Sequence, residues 1–207
     1  MEAAQGGGRP AVGVQAGPAN GPRGGFRMEV LLILVLLLVA LFVFYYNRII
    51  TLENRVGNAL SQVDVQLKRR NDLIPNLVNT VKGYAAHETG VFDRVTQARE
   101  RMLSAGSIEE KSAASNQLTQ ALRSVFAIAE AYPALKADAN FRELQEQLEE
   151  TENKIAYARQ FFNDTVLDFN NTVSTIPGVF VAQLMGKKPK PFFETDEATR
   201  QVPGVNF

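Results

Sequence analysis

Cysteine is missing from all 207 residues, and histidine occurs once, at His87. The first absence excludes disulfides, thiolate catalysis and cysteine metal sites, and it leaves the redox compartment unreadable. The second leaves no histidine pair for a metal and no histidine-based triad unless carboxylates supply everything else. An excess of either charge is absent too. Lys plus Arg and Asp plus Glu stand at 22 each, and beyond residue 46 they stand at 19 and 20. A chain with no basic surplus is poorly suited to nucleic acid, whose binders neutralise several phosphates. Gly6-Gly7-Gly8 is not followed by Lys-Ser or Lys-Thr, and no phosphate loop or nucleophile elbow occurs elsewhere. No stretch alternates apolar and polar residues in the manner of a strand.

What the chain does have is one long apolar run. Val30 to Tyr46 gives seventeen residues without a charge, a glycine or a proline. Roughly 17–25 such residues span the hydrocarbon core as a helix, and Met28, Ile49 and Ile50 can lengthen the run. A cleaved signal peptide would start earlier, carry a shorter apolar core and end at a small-x-small site. Tyr45-Tyr46-Asn47-Arg48 offers none. Residues 28–49 are therefore predicted to anchor the chain in a membrane as a single pass. Arg23 and Arg27 before the run and Arg48 and Arg55 after it nearly balance, so orientation is weakly signalled, with Arg9 tipping it toward an inside N-terminus. Residues 1–27 are predicted to be a disordered Gly/Pro-rich tail, since residues 1–25 hold eight of the fifteen glycines and three of the nine prolines.

After the span, apolar residues fall in two heptad columns. One holds Val56, Val63, Leu77, Tyr84, Val91 and Ala98, with Arg70 in the third place. The other holds Leu60, Leu67, Ile74, Val81, Val95 and Met102, with Glu88 as its exception. Two columns sustained over that length predict one very long helix, roughly 85 Å over residues 47–104, whose seam needs partners. Pro75 removes a ladder bond and crowds the carbonyl of Asn71, predicting a kink, while Gly83 and Gly90 bracket a second possible break. Ser107 and Glu110 stand in capping-box positions before a second helix, which Tyr132-Pro133 ends. A third helix begins near Asp138 or Asn140 and carries Phe141, Leu148, Ile155, Phe162 and Phe169 seven apart, until Pro177-Gly178 stops it. The fold class is all-α: an N-terminal transmembrane helix, then an antiparallel up-and-down bundle of long helices over residues 50–176. Residues 177–207 read as an irregular tail packed across the bundle end. A rival reading puts its lysines and Phe192-Phe193 against lipid headgroups.

The motifs Asn71-Asp72-Leu73-Ile74-Pro75-Asn76-Leu77, Val81-Lys82-Gly83-Tyr84, His87-Glu88, Tyr132-Pro133-Ala134-Leu135-Lys136, Asn140-Phe141, Glu152-Asn153, Ala158-Arg159 and Asn163 resemble, in that order, the LemA family. The resemblance covers the span through about Phe193. It implies a bacterial membrane protein with an N-terminal anchor and a four-helix domain, and no established enzyme activity. Members in magnetosome membranes imply a part in organising membrane assemblies.

Arg70 is the most informative polar residue, because its column neighbours are Val63 and Leu77 and a buried guanidinium must find an acceptor. On the third helix Glu152 and Arg159 border the core column. Glu152 is the first-choice partner, and such a pair fixes helix register more than it adds stability. His87-Glu88 is not His-Glu-x-x-His, and a lone histidine by a helix break reads as a capping or surface group. Glu143, Glu146, Glu149, Glu150 and Glu152 read as a solvated face, the alternative being a surface for a cation or basic partner. Asn163, Asn170 and Asn171, poor helix formers, are either exposed or hydrogen-bonded between helices. No catalytic residue, cofactor or metal is predicted. The expected partners are membrane lipid and other membrane proteins or further copies of the chain. Competing readings are a sensor working through the Pro75 kink and an accessory factor to a membrane enzyme, the latter requiring His87 and the carboxylates to converge in one pocket.

Overall fold

The computed structural model describes residues 23–194; residues 1–22 of the tail expected over 1–27, and residues 195–207, lie outside, while residues 23–27, expected to be disordered, are helical. The described chain is all-α: α1 (Arg23–Lys82), α2 (Thr89–Ser104), α3 (Ile108–Ala131), the single turn α4 (Pro133–Ala137), α5 (Ala139–Ser174) and α6 (Gly178–Leu184). It divides into two units, one ending at Val43 and the other beginning at Phe44. In the first, α1 has a stretch long and apolar enough to cross a membrane, and none of it is buried by protein.

In the second unit, cross-helix contacts fix the directions. Lys82 lies over Phe92 and Arg99 Nε donates to Asn71 O, so α2 returns along α1. Lys111 reaches Asp64 and Arg70 reaches Ser115, so α3 runs parallel to α1. Arg69 meets Glu150 and Arg48 meets Thr172, so α5 comes back down. The result is an up-down-up-down bundle of four long helices.

The single helix expected over residues 47–104 is two helices. Val81 O accepts from both Tyr84 N and Ala85 N at 3.0 and 2.9 Å, a second turn closes from Glu88 N to Ala85 O, and the chain reverses. The columns kept their phase across the break because both arms of a helical hairpin bury the same kind of stripe against each other. Periodicity does not distinguish a reversal from a continuation.

The second column also shifts. Leu52 and Ala59 are buried where Leu60 is only partly so, and farther along the buried positions are Leu67, Ile74 and Val81. A helix of ~3.6 residues per turn gains ~28.8 residues in eight turns, which carries a face from position 52 to about 81. Ile49, expected as the last residue of the anchor, is fully buried in the bundle core. On α5 the seven-spaced column from Phe141 to Phe169 is buried throughout.

The capping box forms as spaced: Glu110 N donates to Ser107 Oγ and Ser107 N to Glu110 Oε2, both at 3.1 Å. The backbone N–H groups of Gly106 and Ser107, both donating to its Oε2, hold the Glu110 carboxyl below its usual range. Asp138 caps α5 by accepting from Phe141 N at 2.9 Å and also accepts from Tyr84 Oη at 2.9 Å. The α1–α2 reversal is thereby tied to the start of α5.

Candidate functional site

Arg70 projects from α1 into the space between α3 and α5 and is completely buried. Its Nη1 donates to Glu152 Oε2 at 2.6 Å and to Thr119 Oγ1 at 3.0 Å. Its Nη2 donates to Ser115 Oγ at 2.5 Å and to Ser115 O at 3.3 Å. Thr119 Oγ1 in turn donates to Glu152 Oε1 at 3.2 Å. From the same helix as Glu152, Arg159 also donates to Ser115 Oγ, and to Asn116 Oδ1 at 3.3 Å. Two guanidiniums thus meet at the Ser115 hydroxyl. Burial, assisted by the neighbouring Arg70 charge, lowers Arg159 to about 10, with Glu152 opposing. Burial likewise lowers Arg70, again against Glu152. Ser115 accepts from two cations and is fully buried, an arrangement that holds three helices together and offers no reachable nucleophile.

The structure therefore brings Arg70 and Glu152 together. Ser115, Thr119 and Asn116 were not named from sequence. Their signal was faint: hydroxyl and amide residues on a helix whose buried positions besides Ser112 and Ser115 are Ala, Leu and Val.

Pro75 lies inside α1, which continues to Lys82. The carbonyl it deprives of a ladder donor, Asn71 O, accepts from Arg99 Nε on α2 at 3.2 Å. His87 is exposed in the reversal between α1 and α2. Of that face, Glu150 pairs with Arg69 and Lys154, and Glu152 with Arg70. Among the described residues no group of three or more His, Asp or Glu is placed to hold a metal ion.

The segment after Pro177 was expected to be irregular and to lie across the bundle end. It instead forms α6 and then a strap, residues 187–194, that runs along the bundle side. Gly178 permits this: a Cβ there would sit 2.1 Å from Thr172 O and 3.2 Å from Tyr45 Cδ1. The strap is held by main-chain bonds. Lys190 N donates to Asn170 Oδ1 at 2.8 Å and Asn170 Nδ2 to Lys190 O at 2.9 Å. Phe193 N donates to Asn163 Oδ1 at 2.8 Å and Asn163 Nδ2 to Phe193 O at 3.0 Å. Ser112 Oγ donates to Glu194 O at 2.6 Å. Phe193 is buried with its ring 4.6 Å from Arg159 Cζ, closing the charge cluster from outside. Lys187 and Lys190 pair with Glu53 at 2.6 and 3.5 Å and hold its carboxyl below the usual range.

One face stays open. A groove of about 620 Å³ between α1 and α5 is lined by Ser61, Val65, Glu150, Asn153, Lys154 and Tyr157, with Val65 62% and Tyr157 72% exposed.

A helical bundle held by an interior arginine cluster, together with an apolar stretch that no protein covers, marks a helical protein with a candidate membrane span among the described residues. The LemA family matches residues 59–207, and the chain belongs to it. It is 25% identical over 179 residues to magnetosome protein MamQ of Magnetospirillum gryphiswaldense, covering 74% of this chain and 66% of that protein. The chain thus spans just under two thirds of that relative. It is 22% identical over 197 residues to magnetosome protein MamQ 2 of Paramagnetospirillum magneticum, covering 83% and 72% of the two chains. It is 24% identical over 174 residues to protein LemA of Metamycoplasma hominis, covering 80% and 78%.

Proposed function

We propose that this chain is a non-enzymatic, single-pass protein of the bacterial inner membrane that presents its helical bundle for protein assembly at the membrane surface. One observation carries the reading. The apolar side chains of residues 28–44 are uncovered by protein, a stretch that water would not tolerate and lipid would. In this reading the anchor begins at residue 28, and the bundle is the working part. The likeness to magnetosome proteins supports a role in assemblies. The open groove between α1 and α5 supports docking, because exposed Tyr and Val on neighbouring helices mark a contact surface. Arg70 and Glu152 set the register of α1 against α5, and Pro75 bends α1.

The test is fractionation followed by crosslinking. The full chain should stay with membranes through alkaline carbonate washing, and crosslinking in native membranes should yield discrete higher-mass species. Release by carbonate would refute the anchor, and an uncrosslinked monomer at native abundance would refute assembly.

A further inference from the structure

The helix α6 has no polar face. Of its seven residues Gln183 alone carries a polar side chain. One side faces the bundle, where Gly178, Val181 and Ala182 are buried and Met185 packs partly against the core. The other side is left open among the described residues. Phe180 is 59% and Leu184 78% exposed, four residues apart on one face, and Ile176 in the turn before them is 78% exposed. A helix that is apolar all round is ordinarily enclosed by protein or by lipid. Its place in the fold decides between them. A Cβ on Gly178 would lie 3.2 Å from Tyr45 Cδ1, so α6 starts beside Tyr45. The chain beyond α6 meets Asn170 at Lys190, and nearby on α5 Thr172 accepts from Arg48 Nε at 3.4 Å. The helix is thereby bracketed at the level of Tyr45 and Arg48, the first turn of the second unit. Phe44 opens that unit directly after Val43, so this end of the bundle is where the uncovered apolar run stops. Phe44 and Tyr46 are exposed there, as aromatic side chains are at the boundary between hydrocarbon and water.

We propose that the face of α6 formed by Phe180 and Leu184, with Ile176 before it, is a second lipid contact, seated in the interfacial layer of the bilayer beside the point where α1 leaves it. The inference rests on the anchor reading and gives the bundle a contact of its own with the membrane. Packing of Val181 and Ala182 already fixes α6, so its outer side chains meet lipid without any folding step. Two of the lysines that follow, Lys187 and Lys190, pair with Glu53. The contact is therefore chiefly apolar, and zwitterionic lipid suffices for it.

The absence of native tryptophan makes a direct test. Full-length Phe180→Trp, Phe44→Trp and Leu103→Trp are each reconstituted into phosphatidylcholine vesicles, with and without bromine on the acyl chains near the headgroup. Leu103 is the control, exposed on α2 between the levels of Asn71, which meets Arg99, and Asp64, which meets Lys111. Even the nearer level stands roughly 28 Å along α1 from Tyr45 at ~1.5 Å per residue. Bromine should quench positions 44 and 180 and leave 103 bright. Adding Ile176→Asp and Leu184→Asp, both at exposed positions outside the core, should relieve quenching at 180 while position 44 stays quenched. Quenching at 44 without quenching at 180 would overturn the second contact and leave the anchor standing. Absence of quenching at both would overturn the anchor and the inference with it. Emission from position 180 that is blue-shifted yet unquenched, with copies joined through a benzophenone placed there, would assign the face to a second copy and overturn the lipid contact.

Discussion

Glu152→Gln should cost more stability than Arg70→Met, although both break the same ion pair. Arg70 is completely enclosed, whereas the Glu152 side chain is 40% exposed. Neutralising Glu152 leaves the Arg70 cation sealed beside Arg159 with neutral acceptors alone: Ser115, Thr119 and the new amide oxygen. Removing one partner of a buried pair costs ~3–5 kcal/mol, and the partial exposure of Glu152 places this case near ~3. For a chain of this size ~1 kcal/mol moves the melting temperature ~2–4 °C, so a fall of about 6–12 °C is expected. Arg70→Met instead strands a carboxylate that water can reach and that retains Arg159 nearby. Because the partner left behind reaches water rather than staying buried and unpaired, a loss below ~1 kcal/mol is expected, together with broader side-chain resonances as the register of α1 loosens. The assay is urea unfolding of the full chain in detergent, followed by circular dichroism at the helical minimum. Should Arg70→Met lose as much as Glu152→Gln or more, the guanidinium would be a net stabiliser and the register argument would fail.

Arg99→Ala should cost ~1–3 kcal/mol by leaving the carbonyl of Asn71 without its donor, and less once Pro75→Ala restores the ladder amide; additive losses in that cycle would reject the compensation. Gly178→Ala should destabilise by ~1–3 kcal/mol, because the new Cβ meets backbone at Thr172, and hydrogen exchange should rise in α6; unchanged protection there would contradict the close approach. Glu53 is held below 4.5 chiefly by its hydrogen bond from Lys187, so its contribution to strap docking is present above that value and disappears as pH falls through the lowered one. With no native tryptophan, Phe192→Trp should report this as a red shift on acidification, and a curve unaffected by Glu53→Gln would assign the change elsewhere.

The bundle was legible because its signals are repetitive. Phe141 to Phe169 recur every seventh residue on α5, and Ser107 with Glu110 announce a helix start by chemistry that needs only local chain. The reversal at Gly83 was not, because Tyr84 and Val91 continue a column that either topology buries or grazes. Arg70 was found through its place in an apolar column, and Glu152 through its distance from Ile155. Ser115 and Thr119 complete the cluster from positions that look ordinary in one dimension, whereas Arg159 stood beside the core column as Glu152 did. The strap was hidden for a different reason. Asn163 and Asn170 showed that something polar met α5, but peptide groups are the same everywhere, so the sequence could not say which segment they hold.

The advance of the buried face along α1 bears on how the helix tolerates changes in length. Because that face keeps to about 3.6 residues per turn, deleting one heptad would swing everything beyond it by ~20° about the axis, and inserting eleven residues would swing it about as far. Removing eighteen, five whole turns, would bring the same azimuth back to the core. Insertions and deletions that preserve function in this stalk should therefore come as eighteen, or as a seven joined to an eleven.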